Sequence, residues 1–195
     1  MDLRRTLLLF SFIFTGSLAI AQPKDRWTIQ DGGAIRWSIN DNIPHDDHLE
    51  MSGQQLSVVL RYGVDAQKRF HLNRSLVFPM LRMHPNKTQN NLKQRFDVNI
   101  PALVTVDDQT LLNEEVRDVT FNGIMRVESS FGYIYRRKEL KDAVQLTRVL
   151  YPSTNAAHYC EEYTFKNSSP NQITLRVPEW NVTYTTPEEA GVYGA

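Results

Sequence analysis

A regular alternation of apolar and polar residues over positions 56–64 constrains the fold of this chain more than any other feature. The apolar side chains that fall on one side of an extended backbone are Leu56, Val58, Leu60, Tyr62 and Val64. Among the intervening residues, only Val59 departs from the pattern. Successive side chains of a strand point to opposite faces, so this period of two predicts a strand with one buried face.

Similar short alternations, separated by turn residues, follow one another along most of the chain. Between 119–121 and 124–127 stands the pair Asn122-Gly123, which suits the positive φ angles of a two-residue hairpin turn. The segment 137–144 contains good helix formers but is too short for a stable helix, so at most a turn is expected there. About ten to twelve strands are predicted at this spacing, which is typical of a sandwich.

The fold class predicted from these patterns is all-β, an antiparallel β-sandwich of the supersandwich type with very little helix. No internal repeat or low-complexity linker divides the sequence, so a single domain is predicted over residues 22–185. Residues 186–195 contain no closing strand pattern, and a truncated or disordered tail is expected there.

The first 21 residues have the composition of a secretory signal peptide. Arg4 and Arg5 precede an apolar run over residues 7–20, and Ala19-Ile20-Ala21 has the small-x-small form of a cleavage site. The run is shorter than a membrane-spanning helix requires. Export to the periplasm or the medium is therefore expected, without a membrane anchor after cleavage. Since Cys160 lies far from the cleavage point, a lipoprotein is not expected.

The net charge and the cysteine content limit the classes of partner and the disulfides that can be expected for the chain after cleavage. Removing 21 of the 195 residues leaves 174, enough for a full core. Without Asp2, Arg4 and Arg5 there are 20 basic and 21 acidic residues, a formal net charge of −1. This balance gives no electrostatic reason to expect nucleic acid or anionic lipid as a partner. A single cysteine, Cys160, excludes an intramolecular disulfide.

The segment 42–50 concentrates ionisable side chains between the predicted strands 34–39 and 56–64. It contains Pro44 and the run HDDHLE at positions 45–50. A strand interior would not accept so many charges without partners, so a loop is predicted. A carbohydrate, which presents both hydroxyls and apolar ring faces, or a partner domain would suit this region. The candidate contact residues are Trp37, His45, Asp46, Asp47, His48, Glu50 and Arg61.

Imidazoles and carboxylates in this segment also raise the question of a metal. His45 and His48 would share a face on a helix or across a turn, but they would point apart on a strand. A polar loop whose aspartates close turns explains the same residues. No metal, cofactor or catalytic residue is therefore predicted. Glu161 and Glu162 are adjacent in a predicted strand, so they face opposite ways and cannot be a glycosidase pair.

Three segments carry a resemblance to a known family: DHLEMSG at 47–53, LSVVLRY at 56–62 and RSLVFPMLR at 74–82. They resemble the amino-terminal part of exported, Bacteroidetes-type glycoside hydrolases of the six-hairpin (α/α)₆-toroid class, which includes α-L-rhamnosidase-like enzymes. In that class a β-sandwich precedes the helical toroid, and the toroid carries the catalytic carboxylates. The chain contains no toroid sequence, so the resemblance implies a fragment and no catalytic residue is carried over.

The functional hypothesis is a non-catalytic amino-terminal module of a polysaccharide-degrading enzyme, with a carbohydrate or a carboxy-terminal (α/α)₆ domain as its partner. By itself the module should have little or no hydrolytic activity. Two alternatives stay open at this point. One is a free-standing periplasmic carbohydrate-binding protein. The other is a small metal-dependent enzyme on a β-barrel, with His45, His48 and Glu50 as ligands.

Overall fold

A computed structural model describes residues 26–39, 44–67, 69–82, 91–96 and 98–183. The predicted signal peptide at 1–21 and the predicted tail at 186–195 lie outside these ranges. Within them the chain forms thirteen strands and one turn of 3₁₀ helix, Ile100–Leu103. The all-β prediction, with very little helix, is confirmed.

The strand bounds define the elements used below. In chain order the strands are β1 (Thr28–Ile29), β2 (Ile35–Ser38), β3 (His45–Ser52), β4 (Ser57–Val64), β5 (Phe70–Arg82), β6 (Asn91–Phe96), β7 (Thr105–Val106), β8 (Gln109–Thr110), β9 (Leu112–Phe121), β10 (Met125–Tyr135), β11 (Lys138–Pro152), β12 (Tyr159–Asn167) and β13 (Leu175–Arg176).

The described strands form three antiparallel sheets. The largest has the order β1-β2-β9-β10-β11-β12, the second has the order β3-β4-β5-β6, and a small third sheet has the order β13-β7-β8. Most neighbours are consecutive in the sequence and are joined by hairpins, which is the usual connection between antiparallel strands. The structure is therefore the predicted antiparallel β-sandwich.

The main core lies between the six-stranded and the four-stranded sheets. From β4, the predicted stripe contributes Val58, Leu60, Tyr62 and Val64, all buried. Trp37 on β2 and Val119 on β9 meet them from the opposite sheet. Full burial of each such aliphatic side chain contributes about 1.5–3 kcal/mol relative to exposure. The periodicity of residues 56–64 thus marks the inner face correctly.

A second hydrophobic cluster joins the far end of the six-stranded sheet to the small sheet. Phe131 and Tyr133 on β10 and Leu146 on β11 pack with Val106 on β7. The two clusters share the inner face of the long strands β10 and β11 but occupy different ends of it. Polar residues lie between the two clusters on these strands.

The prediction of a loop over 42–50 is wrong for residues 45–50. They belong to strand β3, which pairs with β4 from His45 opposite Val64 to Ser52 opposite Ser57. The order of the described strands puts β3 at one edge of its sheet. Asp46, His48 and Glu50 are exposed on its outer side, where water solvates their polar groups. An edge strand with one wet face accepts charges that a central strand would not.

At two hairpin turns the structure differs in detail from the turns predicted from sequence. Phe121 pairs with Met125, so the predicted Asn122-Gly123 hairpin has a loop of three residues rather than two, with Gly123 at a φ of 98°. The expected turn in the segment 137–144 is a two-residue hairpin turn at Arg136 and Arg137, both with positive φ. The rest of that segment belongs to strand β11, because its apolar residues extend the stripe of the core.

Candidate functional site

An open groove lies where β12 of the larger sheet faces β5 and β6 of the other. Aromatic and aliphatic side chains form most of its wall, and one carboxylate is present among them. We call this the aromatic groove and define it by Leu76, Phe96, Ile100, Tyr159, Glu161 and Tyr163. Its volume is about 440 Å³, within the roughly 300–1,000 Å³ typical of ligand pockets.

The alternation of β12 explains the composition of this wall. Tyr159, Glu161 and Tyr163 are separated by single residues, so all three point from the strand toward the opposite sheet. Glu162 points outward, where its carboxylate accepts a hydrogen bond from the Tyr151 hydroxyl at 2.6 Å. The prediction that Glu161 and Glu162 face opposite ways agrees with this arrangement. Among the described strands β12 is at a sheet edge, which leaves the groove open on that side.

Trp180 extends the aromatic surface beyond the groove. Its ring lies against Phe96 with centroids 5.6 Å apart and an interplanar angle of 47°. The side chain is nevertheless 41% exposed. Trp180 therefore offers an accessible aromatic face next to a residue that lines the groove.

Charged side chains on four strands interrupt the hydrophobic interior beside the groove. We call them the buried charge layer: Arg74 on β5, Glu114 on β9, Arg148 on β11 and Glu161 on β12. The side-chain ion pairs among them are Arg74 with Glu161 and Arg148 with Glu114. The layer separates the two hydrophobic clusters, since Leu150 belongs to one and Leu146, on the other side of Arg148, belongs to the second.

Arg74 is the most fully bonded member of the layer. It is 3% exposed, and its Nε and Nη2 groups donate to the two carboxylate oxygens of Glu161, with Nη2 at 2.8 Å from Oε2. Its Nη1 group donates to the backbone oxygens of Leu72 and Val98, each at 3.1 Å. Burial alone would lower the pKa of Arg74, but the hydrogen bonds and charge of Glu161 outweigh it and raise the pKa.

Arg148 is less completely paired. It is also 3% exposed; its Nη2 forms the ion pair with Glu114 and donates to the Ser129 hydroxyl at 3.4 Å. Its Nε is buried without a hydrogen bond to any described residue. Burial lowers the pKa of Arg148 to about 10, so the guanidinium keeps its charge at neutral pH.

The two tyrosines of the groove differ in their bonding. Tyr163 donates its hydroxyl proton to Glu161. The hydroxyl of Tyr159 is buried beside Glu161 and Arg74, with which it interacts without a close, well-aligned hydrogen bond. Burial, followed by the negative charge of Glu161, raises the pKa of both phenols, so both stay neutral at neutral pH.

A buried layer of this kind is weak evidence for a purely structural role. Replacing paired buried charges by well-packed apolar residues is often neutral or stabilising. Perturbed titratable groups beside a cavity are instead typical of binding and catalytic sites. The charge layer and the aromatic groove together are therefore the best-supported site in the described residues.

The structure brings together only part of the site predicted from sequence. Asp46, Asp47, His48 and Arg61 surround a small surface depression of about 230 Å³ at the β3–β4 edge. Asp46 also accepts a hydrogen bond from His71 at 3.2 Å. Glu50 is exposed further along β3. This edge is hydrophilic and shallow, and it has none of the aromatic walls found at the groove.

Trp37 and His45 lie inside the sandwich, so neither can present a face to a ligand at the surface. Trp37 is 1% exposed and packs on Trp27 and Tyr62 at ring distances of 6.1 and 6.2 Å. His45 is buried with its ring 4.6 Å from that of Trp37 and contacts Arg26. The expectation that Trp37 would offer a flat platform to a sugar does not fit this burial.

The ligand set considered for a metal does not converge. His45 points into the sandwich, whereas His48 and Glu50 project from the other side of β3, so the three side chains cannot surround one ion. In the described residues we also find no group of three histidine, cysteine, aspartate or glutamate side chains placed to hold a metal.

Sequence reasoning missed Arg74, Arg148 and the inward role of Glu161. A usable pattern was present, because each charge stands in phase with core-facing residues two positions away. Arg74, for example, comes two positions after Leu72 and two positions before Leu76 on the same face of its strand. A charge at an inward position of a strand must find a partner, and four such positions on facing strands indicate a buried polar layer.

Comparisons with known proteins add nothing to this geometry, since no family model, curated protein or solved structure matches the chain. In the part of the chain that the structure describes, we find no helix with the length and hydrophobicity to cross a bilayer. The fold and the site define an antiparallel β-sandwich with an aromatic groove between its two larger sheets and a buried charge layer beside it.

Proposed function

We propose that this chain is a non-catalytic, carbohydrate-binding β-sandwich module of an exported glycoside hydrolase, and that the sugar lies in the aromatic groove. The observation that carries the proposal is the wall of Phe96, Tyr159 and Tyr163 around an accessible cleft. Pyranose rings present C–H groups on their faces, which pack on aromatic rings, and hydroxyls at their rims, which need polar partners.

The polar groups of the groove suit the rim of such a ring. The phenol rings of Tyr159 and Tyr163 flank the Glu161 carboxylate in the wall of the groove. Glu161 provides an acceptor whose orientation is fixed by Arg74 and Tyr163. Pre-organised polar groups lower the entropic cost of binding. The combination of a rigid carboxylate and apolar walls favours a neutral sugar over a purely apolar ligand.

A role beside a catalytic domain is favoured by a different surface. Val177 is 60% exposed, and it lines a depression of mixed polarity near the small sheet. The other apolar residues of that depression are Leu103, Leu175 and Pro178. Exposed apolar surface of this kind marks interaction sites. As a second candidate function, this depression would dock the helical catalytic domain that the family resemblance implies.

Affinity electrophoresis of the mature domain, residues 22–195, tests the sugar proposal. Gels containing xylan, mixed-linkage β-glucan, galactomannan or rhamnogalacturonan would be compared with gels without polysaccharide. We expect at least one polysaccharide to retard migration, and we expect Phe96→Ala to abolish the retardation because it removes the stacking wall. The matched control is His48→Ala, which changes an exposed aromatic side chain on the distant β3 edge and should leave retardation unchanged.

Two results would contradict the proposal. One is unaltered migration of the wild-type domain in all four polysaccharides. The other is retardation that persists in Phe96→Ala but is lost in His48→Ala, which would move the sugar site to the β3 edge.

A further inference from the structure

A partly enclosed cavity lies on the other side of Arg74 from the aromatic groove. It occupies about 220 Å³ between the start of β5, the segment 98–101 and the inner face of the six-stranded sheet. Its polar lining includes Arg74, Glu114 and Arg148, which face inward from their strands, and Asn99 at the mouth. His71 and Asn73 also line it, but their side chains lie on the opposite face of β5 from Arg74. The cavity is distinct from the groove, because the Arg74–Glu161 ion pair lies between the two. Arg74 lines the cavity, whereas Glu161 lines the groove.

The cavity has a route to the surface. Phe70, Asn99 and Glu114 line both the cavity and a wider depression of about 550 Å³ at the end of the sandwich. Asn99 is exposed, while Glu114 is partly buried. A small ligand can therefore reach the interior past Asn99 without separating the two sheets.

Arg148 is a buried cation in the lining of the cavity, and its guanidinium is not fully bonded. Its Nη2 contacts Glu114 and Ser129, whereas its Nε–H has no acceptor in the described part of the chain. Nε itself has almost no accessible surface, so a ligand meets other atoms of this guanidinium. A polar cavity of this size can hold ordered water or a small ligand.

The lining also indicates the chemical class of the ligand. Arg148 and the side-chain amide of Asn99 can donate, while Glu114 and the amide oxygen of Asn99 can accept. Hydroxyl groups do both. The positive charge of Arg148 is balanced by Glu114, and that of Arg74 by Glu161, so the cavity has no excess charge to attract an ion.

We propose that this cavity binds a single uncharged, hydroxyl-rich ring of monosaccharide size, with the Arg148 guanidinium donating to one ligand hydroxyl and Glu114 accepting from another. The volume is below the roughly 300–1,000 Å³ of pockets for drug-sized ligands, which limits the ligand to one ring. This second site stands independently of the groove, since the two share no aromatic wall.

The test is a protein-observed NMR titration of the mature domain with separate single compounds. The neutral probes are D-glucose, D-galactose, D-mannose, D-xylose, L-fucose, L-rhamnose and myo-inositol, and the charged probe is D-galacturonate. We expect at least one neutral ring to shift the backbone amides of Asn73 and Asn99 saturably, and to bind at least tenfold more tightly than D-galacturonate.

Two variants separate this site from the groove. Arg148→Met/Glu114→Leu replaces the buried pair by apolar side chains of similar size, which proteins commonly tolerate, and should weaken ring binding at least tenfold. Phe96→Ala removes a groove wall and should leave it unchanged. If the double variant does not fold, Asn99→Ala at the exposed mouth replaces it, with a smaller loss of affinity expected.

The proposal is overturned if no neutral ring shifts those amides, which would mean that water fills the cavity. It is also overturned if D-galacturonate binds more tightly than D-galactose, or if the folded double variant binds as well as the wild type. None of these results bears on the groove, whose own test uses polysaccharides and the Phe96→Ala variant.

Discussion

Replacing Glu161 by leucine should lower the free energy of unfolding by about 3–5 kcal/mol, because it leaves Arg74 as a buried, uncompensated cation. Arg74 is almost inaccessible and directs two of its nitrogens at the Glu161 carboxylate. Its hydrogen bonds to the backbone oxygens of Leu72 and Val98 would remain, but neutral carbonyls do not cancel its charge.

The double variant Arg74→Met/Glu161→Leu provides the internal comparison. It removes the cation together with the carboxylate, so the charge penalty disappears, while the backbone oxygen of Val98 loses the donor it had. An unsatisfied buried acceptor costs about 1–3 kcal/mol. We therefore expect the double variant to be about 2 kcal/mol more stable than Glu161→Leu alone.

Equilibrium unfolding in urea, followed by tryptophan fluorescence, to which buried Trp37 contributes, measures these differences by linear extrapolation. A wild-type stability of about 5–15 kcal/mol would keep both variants folded without denaturant. The reasoning is refuted if Glu161→Leu lies within about 1 kcal/mol of the wild type, or if the double variant is less stable than the single one.

Three further predictions concern other parts of the sandwich. Burial alone would raise the pKa of Asp118, but the hydrogen bond from Arg36 helps to lower this pKa below its ordinary value of 3.8. Such a carboxylate stabilises the fold at pH values above its unfolded-state pKa. This stability is lost as the pH falls through the folded-state pKa. Thermal melts from pH 6 to pH 2 should therefore show a shallower acid decline for Asp118→Asn than for the wild type, and equal slopes would contradict this. Gly63→Ala should destabilise by about 1–3 kcal/mol in urea, because a Cβ there would overlap the backbone oxygen of His45 on β3; an unchanged midpoint would be inconsistent with the close strand pairing. His48→Ala, on the wet face of the same strand, should stay within about 0.5 kcal/mol of the wild type, and a larger loss in the same assay would indicate that this edge is covered.

The sequence predicted the strands with clear alternation and the overall class of the fold. The stripe from Leu56 to Val64 is the inner face of β4, and the Asn122-Gly123 turn joins β9 to β10. Both are local signals: a period of two and a turn that needs positive φ. They do not depend on which strands become neighbours.

The β3 strand and the site could not be predicted in the same way. Charged residues at 45–50 disfavour a strand by composition, and only the edge position of β3 makes their exposure acceptable. Arg74 and Glu161 are 87 positions apart in the sequence, and their pairing depends on how β5 and β12 face each other across the sandwich. Non-local pairing of this kind is set by the packing of the sheets, which no single stretch of sequence encodes.

The central claim is that carbohydrate binds in the aromatic groove, and its most direct test is an NMR titration of the domain of residues 22–195. The probe is an oligosaccharide released from whichever polysaccharide retards the domain on a gel. The account predicts saturable shifts of the backbone amides of Phe96, Tyr159, Glu161 and Tyr163, and no shifts in strand β3. Shifts confined to β3, or no shifts at any amide, would contradict it.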